Sequence, residues 1–449
     1  MFPLSSPRAD EQAGTPGPAP TSGAPTARAP ASGCSEASLK AHFPHGQPVT
    51  RFGVRPGSGS DQTGAIEQAI RAAGPDAVLL FPPGIYRHAR RILVGTAGVQ
   101  LVGLPGARLH ATSLDEQAVF IAADRVALRC FTLTAVTSER GTTPWASRIA
   151  IYPHFDESRW VSGVEITGNA VIPHADGGRQ HAATNTAGIY VVRGSDFRIL
   201  GNRIVRSLSD GIHVTQGSRD GEIAFNDISQ TGDDHIGLVS YGPAPGWLGS
   251  ASAAQIAEQR VMTVNRDLNV HDNVVSNALW GRGISVVGGE RIAIARNTVS
   301  DTQMAAGIIV ARESSFQTWG SRDVTITGNT ITQNQTGDSG ERRTGHGAIE
   351  IHALIPAGVD RGAPIVENLG VHRVVVTGNT IAGAAYAGIR IGSPRGSPAP
   401  TRAETVSAIE VTGNRISGVG TRPVEWNLPR HPAAGACSGN LYAGTPAAC

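Results

Sequence analysis

The sequence predicts an all-β chain wound as a parallel β-helix, a solenoid closed at its N-terminal end by one capping helix. Three observations predict it. A unit of the form apolar-x-apolar-x-(Gly or polar)-Asn recurs along the chain. A second short strand, usually beginning Gly-Ile, sits between successive asparagines. Glycine is abundant, at 56 of 449 residues, which suits frequent turns rather than long helices.

Residues 1–47 are rich in Pro, Ala, Ser, Thr and Gly and carry almost no aliphatic pattern. Such a segment buries too little apolar surface to offset its conformational entropy, so a disordered tail is expected. Its start has no basic segment followed by an apolar stretch, so no signal peptide is visible. The β-helix domain is expected over 48–425. It opens with an amphipathic helix at Asp61–Gly74, with a polar N-cap, Ala65, Ile66, Ala69 and Ile70 on one face, and Gly74 as the stop. That helix would cover the open edges of the first coil. Short strands follow at 78–81 and 99–102.

The repeat then runs through Val164-Glu-Ile-Thr-Gly-Asn169, Ile199-Leu-Gly-Asn202, Ile223-Ala-Phe-Asn226 and Leu268-Asn-Val-His-Asp-Asn273. It continues through Asn297, Asn329, Asn379 and Asn414. Asn202 and Asn226 are 24 residues apart, as are Asn273 and Asn297, and the longer intervals carry Gly/Pro/polar insertions. Two or three strands in so short a period fit coils stacked at about 4.8 Å. An Asn at the same inward turn of each coil would bond turn backbone groups otherwise buried unpaired. A β-propeller would need hairpin turns that the sequence lacks. Residues 426–449 form a Gly/Ala/Pro-rich tail in which Cys437 and Cys449 are placed to close a short disulfide loop. If they do, the protein works outside the reducing cytosol, extracytoplasmically. Whether Cys34 pairs with Cys130 is open.

Charged residues make up 16% of the chain and the formal net charge is +2, with no basic stripe, which excludes an electrostatic nucleic-acid binder. No run of eighteen apolar residues occurs, so no membrane-spanning helix is expected. The cysteines have no zinc-like spacing. Among 38 basic residues Lys40 is the single lysine, so any other cation at a site is Arg or His.

In strands of the Gly-Ile-x-Val type the apolar residues point inward and their alternates outward. Tyr190, His213, Ser285, Glu350, His352 and Arg390 then share one outer face, and Asp210 and Arg282 precede their strands. Asp210 lies eight residues after Asn202 and Asp234 eight after Asn226, so the two fall on adjacent rungs roughly 5 Å apart, with Asp233 beside them. Carboxylates that close repel, so one should keep a proton while its neighbour is ionised. That pairing suits glycosidic hydrolysis, in which one group protonates the leaving oxygen and the other activates water. The candidate catalytic residues are Asp210, Asp233 and Asp234. His213, His235, Arg282, Arg312, Glu350, Tyr190 and Trp280 are candidate substrate-binding residues. Trp247, Trp280 and Trp319 either offer a sugar-stacking platform or fill the core.

The run Phe52-Gly-Val-Arg-Pro-Gly-Ser-Gly-Ser-Asp-Gln-Thr-Gly-Ala-Ile and the later Phe81-Pro-Pro-Gly-Ile-Tyr86 resemble the opening of the pectate-lyase-like superfamily. The resemblance covers about 50–420 and implies a right-handed β-helix. Asp210-Gly211 with Gly232-Asp-Asp234 is similar to the three-aspartate signature of polygalacturonase-like hydrolases, with spacing closer to bacterial α-1,3-glucanases. It implies a polysaccharide-cleaving, inverting hydrolase with Asp233 or Asp234 as general acid and no required cofactor or metal. Gly281-Arg-Gly283 stands where polygalacturonases carry Gly-His-Gly, and their substrate-binding lysine is missing, which argues against galacturonate. Two other readings use the same fold. In a polysaccharide lyase or uronate C5-epimerase, Arg282 or a histidine would abstract a proton and the aspartates would hold Ca2+. In a carbohydrate-binding or adhesion protein the face would only bind.

Overall fold

The computed structural model describes residues 33–113, 115–135, 144–154, 156, 158–172, 187–337, 343–353, 362, 367–392, 405–428, 436–447 and 449. Its strands form three parallel sheets of 15, 13 and 11 strands, stacked in sequence order along one axis. Each complete coil contributes one strand to each sheet, and the winding is that of a right-handed parallel β-helix. Arg219–Ala224, Asp227–Ser229 and Ile236–Val239 are successive strands of one coil, in the first, second and third sheet.

The alternation of the sequence decides which side chains go inside. Ile212 and Val214 face the core while His213 and Thr215 face out, and the register Ile189, Ile212, Ile236, Ile284 stacks like on like. A continuous aliphatic core results along the axis. Burial of each such side chain is worth roughly 1.5–3 kcal/mol.

The recurring asparagines form an unbroken hydrogen-bonded column from Asn169 to Asn440. Asn226 Nδ2 donates to Ile199 O and to Asn273 Oδ1, both at 2.9 Å, and Asn273 Oδ1 also accepts the Asn226 backbone N–H at 3.0 Å. The pattern repeats from coil to coil, so buried turn donors are satisfied as the sequence predicts. Asn440 escapes a search for the full repeat because only the short Cys437-Ser-Gly-Asn440 precedes it.

Among the described residues, four α-helices accompany the coil. Helix α1 (Glu36–His42) lies within the segment expected to be a disordered tail, which corrects that boundary for 33–47; residues 1–32 fall outside the described residues. Ser35 Oγ accepts the Ser38 N–H, and Leu39 and Phe43 pack on Leu80, Val102 and Leu104 of the first sheet. A Cys34–Cys130 disulfide fastens this segment to the coil. Helix α2 (Thr63–Ala73) covers the first coil, burying Ile66, Ala69 and Ile70, and Asp61 Oδ1 accepts the Thr63 N–H at 3.0 Å.

Helices α3 (Pro245–Ser250) and α4 (Ala253–Thr263) interrupt the coil and are absent from the sequence expectation. The Ser252/Gln255 capping box was the available signal for α4. At the C-terminal end, the tail expected from 426 instead continues the sheets at Cys437–Ser438 and Leu441–Tyr442. It ends in an antiparallel pair with Thr445–Pro446 and a Cys437–Cys449 disulfide. Among the described residues no helix is long and apolar enough to cross a membrane.

Candidate active site

The third sheet brings the outward residues into one column. Tyr190, His213, Gly237, Ser285, Ile309, Glu350, Arg390 and Glu425 are cross-strand partners in succession. Just before these strands, Asp210, Asp234 and Arg282 lie on successive rungs. Asp210 Oδ1 accepts the Asp234 N–H at 3.1 Å, and Asp234 Oδ1 accepts the Arg282 N–H at 2.6 Å. Both aspartates therefore cap the backbone of the next rung while their carboxylates crowd together. One carboxylate oxygen from each of Asp210, Asp233 and Asp234 lies within 4.8 Å of the others.

The three acids have different surroundings. Asp234 accepts from Ser285 Oγ at 2.5 Å and from the Arg282 N–H, and has the Arg282 guanidinium at 3.7 Å. Every one of these is a donor, so both Asp234 oxygens act as acceptors. Asp210 Oδ2 shares a 2.5 Å hydrogen bond with His213 Nδ1. Burial, and then the neighbouring Asp234, push the Asp210 carboxyl well above the usual carboxylate range. Asp233 is the most accessible of the three, and its carboxylate receives no hydrogen bond from the described residues. Burial, then Asp234 and Asp210, push it up as well.

Arg282 is anchored by Glu313, which bonds its guanidinium. Burial alone would lower its pKa, but Glu313 and the three aspartates hold it above the ordinary arginine value. His213, lowered to about 4 by burial, is neutral and stacks on Tyr190 with ring centroids 4.9 Å apart. Two glycines leave space for the acids. A Cβ on Gly237 would stand 2.7 Å from Asp210 Oδ2, and one on Gly281 would stand 2.4 Å from Asp233 Oδ1.

Of the residues expected to bind substrate, His213, Tyr190 and Arg282 join the aspartates, and Trp280, 39% exposed, stands next to Gly281 at the rim. Three do not join them. His235 is buried and bonds Ser276 O at 2.8 Å, on the far side of its turn. Arg312 is fully buried and donates to Thr318 O. Glu350 lies two rungs beyond Ser285, buried with His352 and accepting the Gly347 N–H. Arg390 is held there by Glu425 and Gly345 O. Trp319 fills a side core with Leu248, Ile256, Val264 and Leu369. Sequence reasoning missed Glu313 and Tyr241. Glu313 directly follows a strand that ends in Arg312, an acid beside the outer face that could have been flagged. Tyr241, whose hydroxyl is held protonated by burial and then by Tyr190, Asp210, Asp233 and Glu313, follows an ordinary strand end and gave no signal.

The close spacing of the aspartates would let a cation such as Ca2+ sit among them. Their existing donors and the adjacent guanidinium fit a proton-sharing cluster better, because a cation would have to displace Ser285 and compete with Arg282.

A family model described as right handed beta helix region matches residues 158–331. No curated protein matches the chain by sequence. Among solved structures, the catalytic unit of a thermostable GH87 α-1,3-glucanase from Streptomyces thermodiastaticus strain HF3-3 is similar at 17% identity and TM-score 0.56, covering 90% of this chain and 71% of that one. A substituted catalytic domain of a GH87 α-1,3-glucanase in complex with nigerose is similar at 15% identity and TM-score 0.55, covering 85% and 68%. PfbA, a surface adhesin of Streptococcus pneumoniae, is similar at 12% identity and TM-score 0.52, covering 84% and 91%. At these identities the likeness is one of fold. The chain thus has the right-handed parallel β-helix fold.

Proposed function

We propose that this protein is a glycoside hydrolase that cleaves a polysaccharide lying along the coil axis by carboxylate acid/base catalysis. The observation that carries the reading is the unequal environment of three mutually close aspartates. Asp233, raised and free of hydrogen bonds from the described residues, donates a proton to the glycosidic oxygen. Asp234, surrounded by donors, accepts a proton from the water that attacks the anomeric carbon. The bond to the leaving oxygen breaks, and one new reducing end appears. Asp210 braces Asp234 by accepting its backbone N–H, and His213 holds Asp210 in place through Nδ1.

The signature's resemblance points to net inversion, but the spacing does not match it. The oxygens lie closer together than the roughly 6.5–9.5 Å usual for an inverting pair, so the anomeric outcome needs its own NMR measurement on fresh product. The two disulfides support an extracytoplasmic location. Arg282 is a poor proton abstractor, because Glu313 and the aspartates hold its proton, and this weighs against a lyase or epimerase in which it acts as base.

The test is a panel of polysaccharides headed by α-1,3-glucan, read for reducing ends and for near-ultraviolet absorbance. Reducing ends without absorbance, lost in Asp233→Asn and Asp234→Asn, are expected. Reducing ends with absorbance would establish a lyase. Binding that leaves every glycan intact would establish an adhesion-type protein.

A further inference from the structure

Upstream of the aspartates, the outer face of the third sheet is aromatic. Leu93, Phe120, Ala150 and Tyr190 occupy the positions that continue the His213 column toward the N-terminal end. Trp145 and Tyr152, both half-buried, meet Phe120 edge-on or tilted, with centroids 6.3 and 5.7 Å away. Tyr152 also packs on the group formed by Ala187, Tyr190 and Val192, so the packing beneath Trp145 and Tyr152, with Phe120 and Ala150 fully buried, continues without a break to the ring stack of Tyr190 on His213, and His213 bonds Asp210. The Arg91 guanidinium lies 4.9 Å over the Trp145 ring.

We propose that this strip is a distal saccharide subsite, with the Trp145 ring and Arg91 holding a sugar residue of the same glycan whose linkage is cleaved at Asp233 and Asp234. The inference rests on the hydrolase reading and adds to it a binding tract and the length of chain it takes. The strand that carries Phe120 is three rungs from the one that carries His213, about 14 Å along the axis. That span takes a chain of several sugars rather than a disaccharide. A flat pyranose face stacks on an aromatic ring, and a guanidinium already held by that ring presents N–H donors to sugar hydroxyls. The same column leads from the strip into the acid cluster, so one glycan can reach both. Trp145 would be a positioning residue, with no contact to the reacting atoms.

The experiment uses the full chain and linear gluco-oligosaccharides of two to six residues, α-1,3-linked first. Trp145→Ala and Trp145→Phe are compared with Phe225→Ala, an exposed aromatic at the corner between the first and second sheets. Expected for Trp145→Ala is a KM for the hexasaccharide raised roughly tenfold with kcat little changed, and a loss of the preference for long over short substrates. Trp145→Phe keeps most of that preference, and Phe225→Ala keeps all of it.

Binding of the hexasaccharide to Asp233→Asn, followed by tryptophan fluorescence, gives a readout that needs no turnover. It should weaken by the same factor when Trp145→Ala is added. Cleavage with unchanged length dependence in Trp145→Ala would overturn the subsite and leave the hydrolase standing. Binding that depends on Trp145 without any cleavage would uphold the subsite and sink the hydrolase. Neither cleavage nor binding across the set would overturn both.

Discussion

Replacing Asp233 with Asn should remove activity and make stability fall less steeply with rising pH than in the wild type. The Asp233 carboxyl is raised by burial and by two neighbouring carboxylates. In the unfolded chain an Asp loses its proton near 3.9. Between that pH and its titration in the folded state, the native protein holds a proton that the unfolded chain has lost. Stability from this group is therefore fully present below pH of about 4 and declines as pH rises, by up to about 1.4 kcal/mol per unit.

Asn has no proton to lose, so Asp233→Asn lacks this decline. The gap between variant and wild type should open from pH of about 4 upward with that limiting slope, and flatten once the native carboxyl ionises. At the acid end the variant should be equal or weaker, because a buried amide without partners costs about 1–3 kcal/mol. Urea denaturation midpoints in half-unit pH steps measure the gap, and turnover on the active glycan should fall by about 10²–10⁴. A stability difference that stays flat across this range would refute a proton held on Asp233, and with it the role of Asp233 as the acid.

Asn297→Ala should destabilise the coil by roughly 3 kcal/mol, since the side chain accepts from Asn273 N and Nδ2 and donates to Val270 O and Asn329 Oδ1; chemical denaturation measures it, and a loss below about 1 kcal/mol would contradict the column's role. Gly237→Ala places a methyl 2.7 Å from Asp210 Oδ2, so kcat should drop about 10- to 100-fold in a protein that still gives a native circular dichroism spectrum. Cys130→Ser opens a loop of 96 residues and should cost up to about 4–5 kcal/mol, and reductant should lower Tm more in the wild type, which loses both disulfides, than in the variant, which has only Cys437–Cys449 left to lose.

The coil itself was legible because its physics repeats. Inward Ile and Val, outward polar residues and one Asn per turn state the same geometry at every rung, so Asp210 and Asp234 could be stacked from spacing alone. The interruptions were not legible. Helices α3 and α4 obey no period and are held by contacts such as Arg260 with Glu290, which lie 30 residues apart. For the same reason the outer face is narrower than alternation predicts. Alternation says that Glu350 and Arg390 point out, but it does not say that Gly345, His352 and Glu425 close over them. His235 is adjacent to the acids in sequence, yet the turn before its strand directs it toward Ser276. Glu313 reached the site through a partner 31 residues away, a distance that no local pattern encodes.

The capping helix α2 and the closing hairpin also bear on how such a chain assembles. Each coil finds its hydrogen-bonding partner one turn earlier, often only 24 residues back, as for Ile212 and Ile236. At a synthesis rate of roughly 5–20 residues per second, a ribosome delivers a new turn every few seconds onto an edge already in place. Helix α2 emerges early and blocks the wrong end, so growth has one direction. The antiparallel return of Thr445–Pro446 onto Leu441–Tyr442 covers the edge that the last parallel strand of the second sheet would otherwise leave open. A chain truncated before that return would leave the growing edge open, and its natural next partner would be another truncated chain.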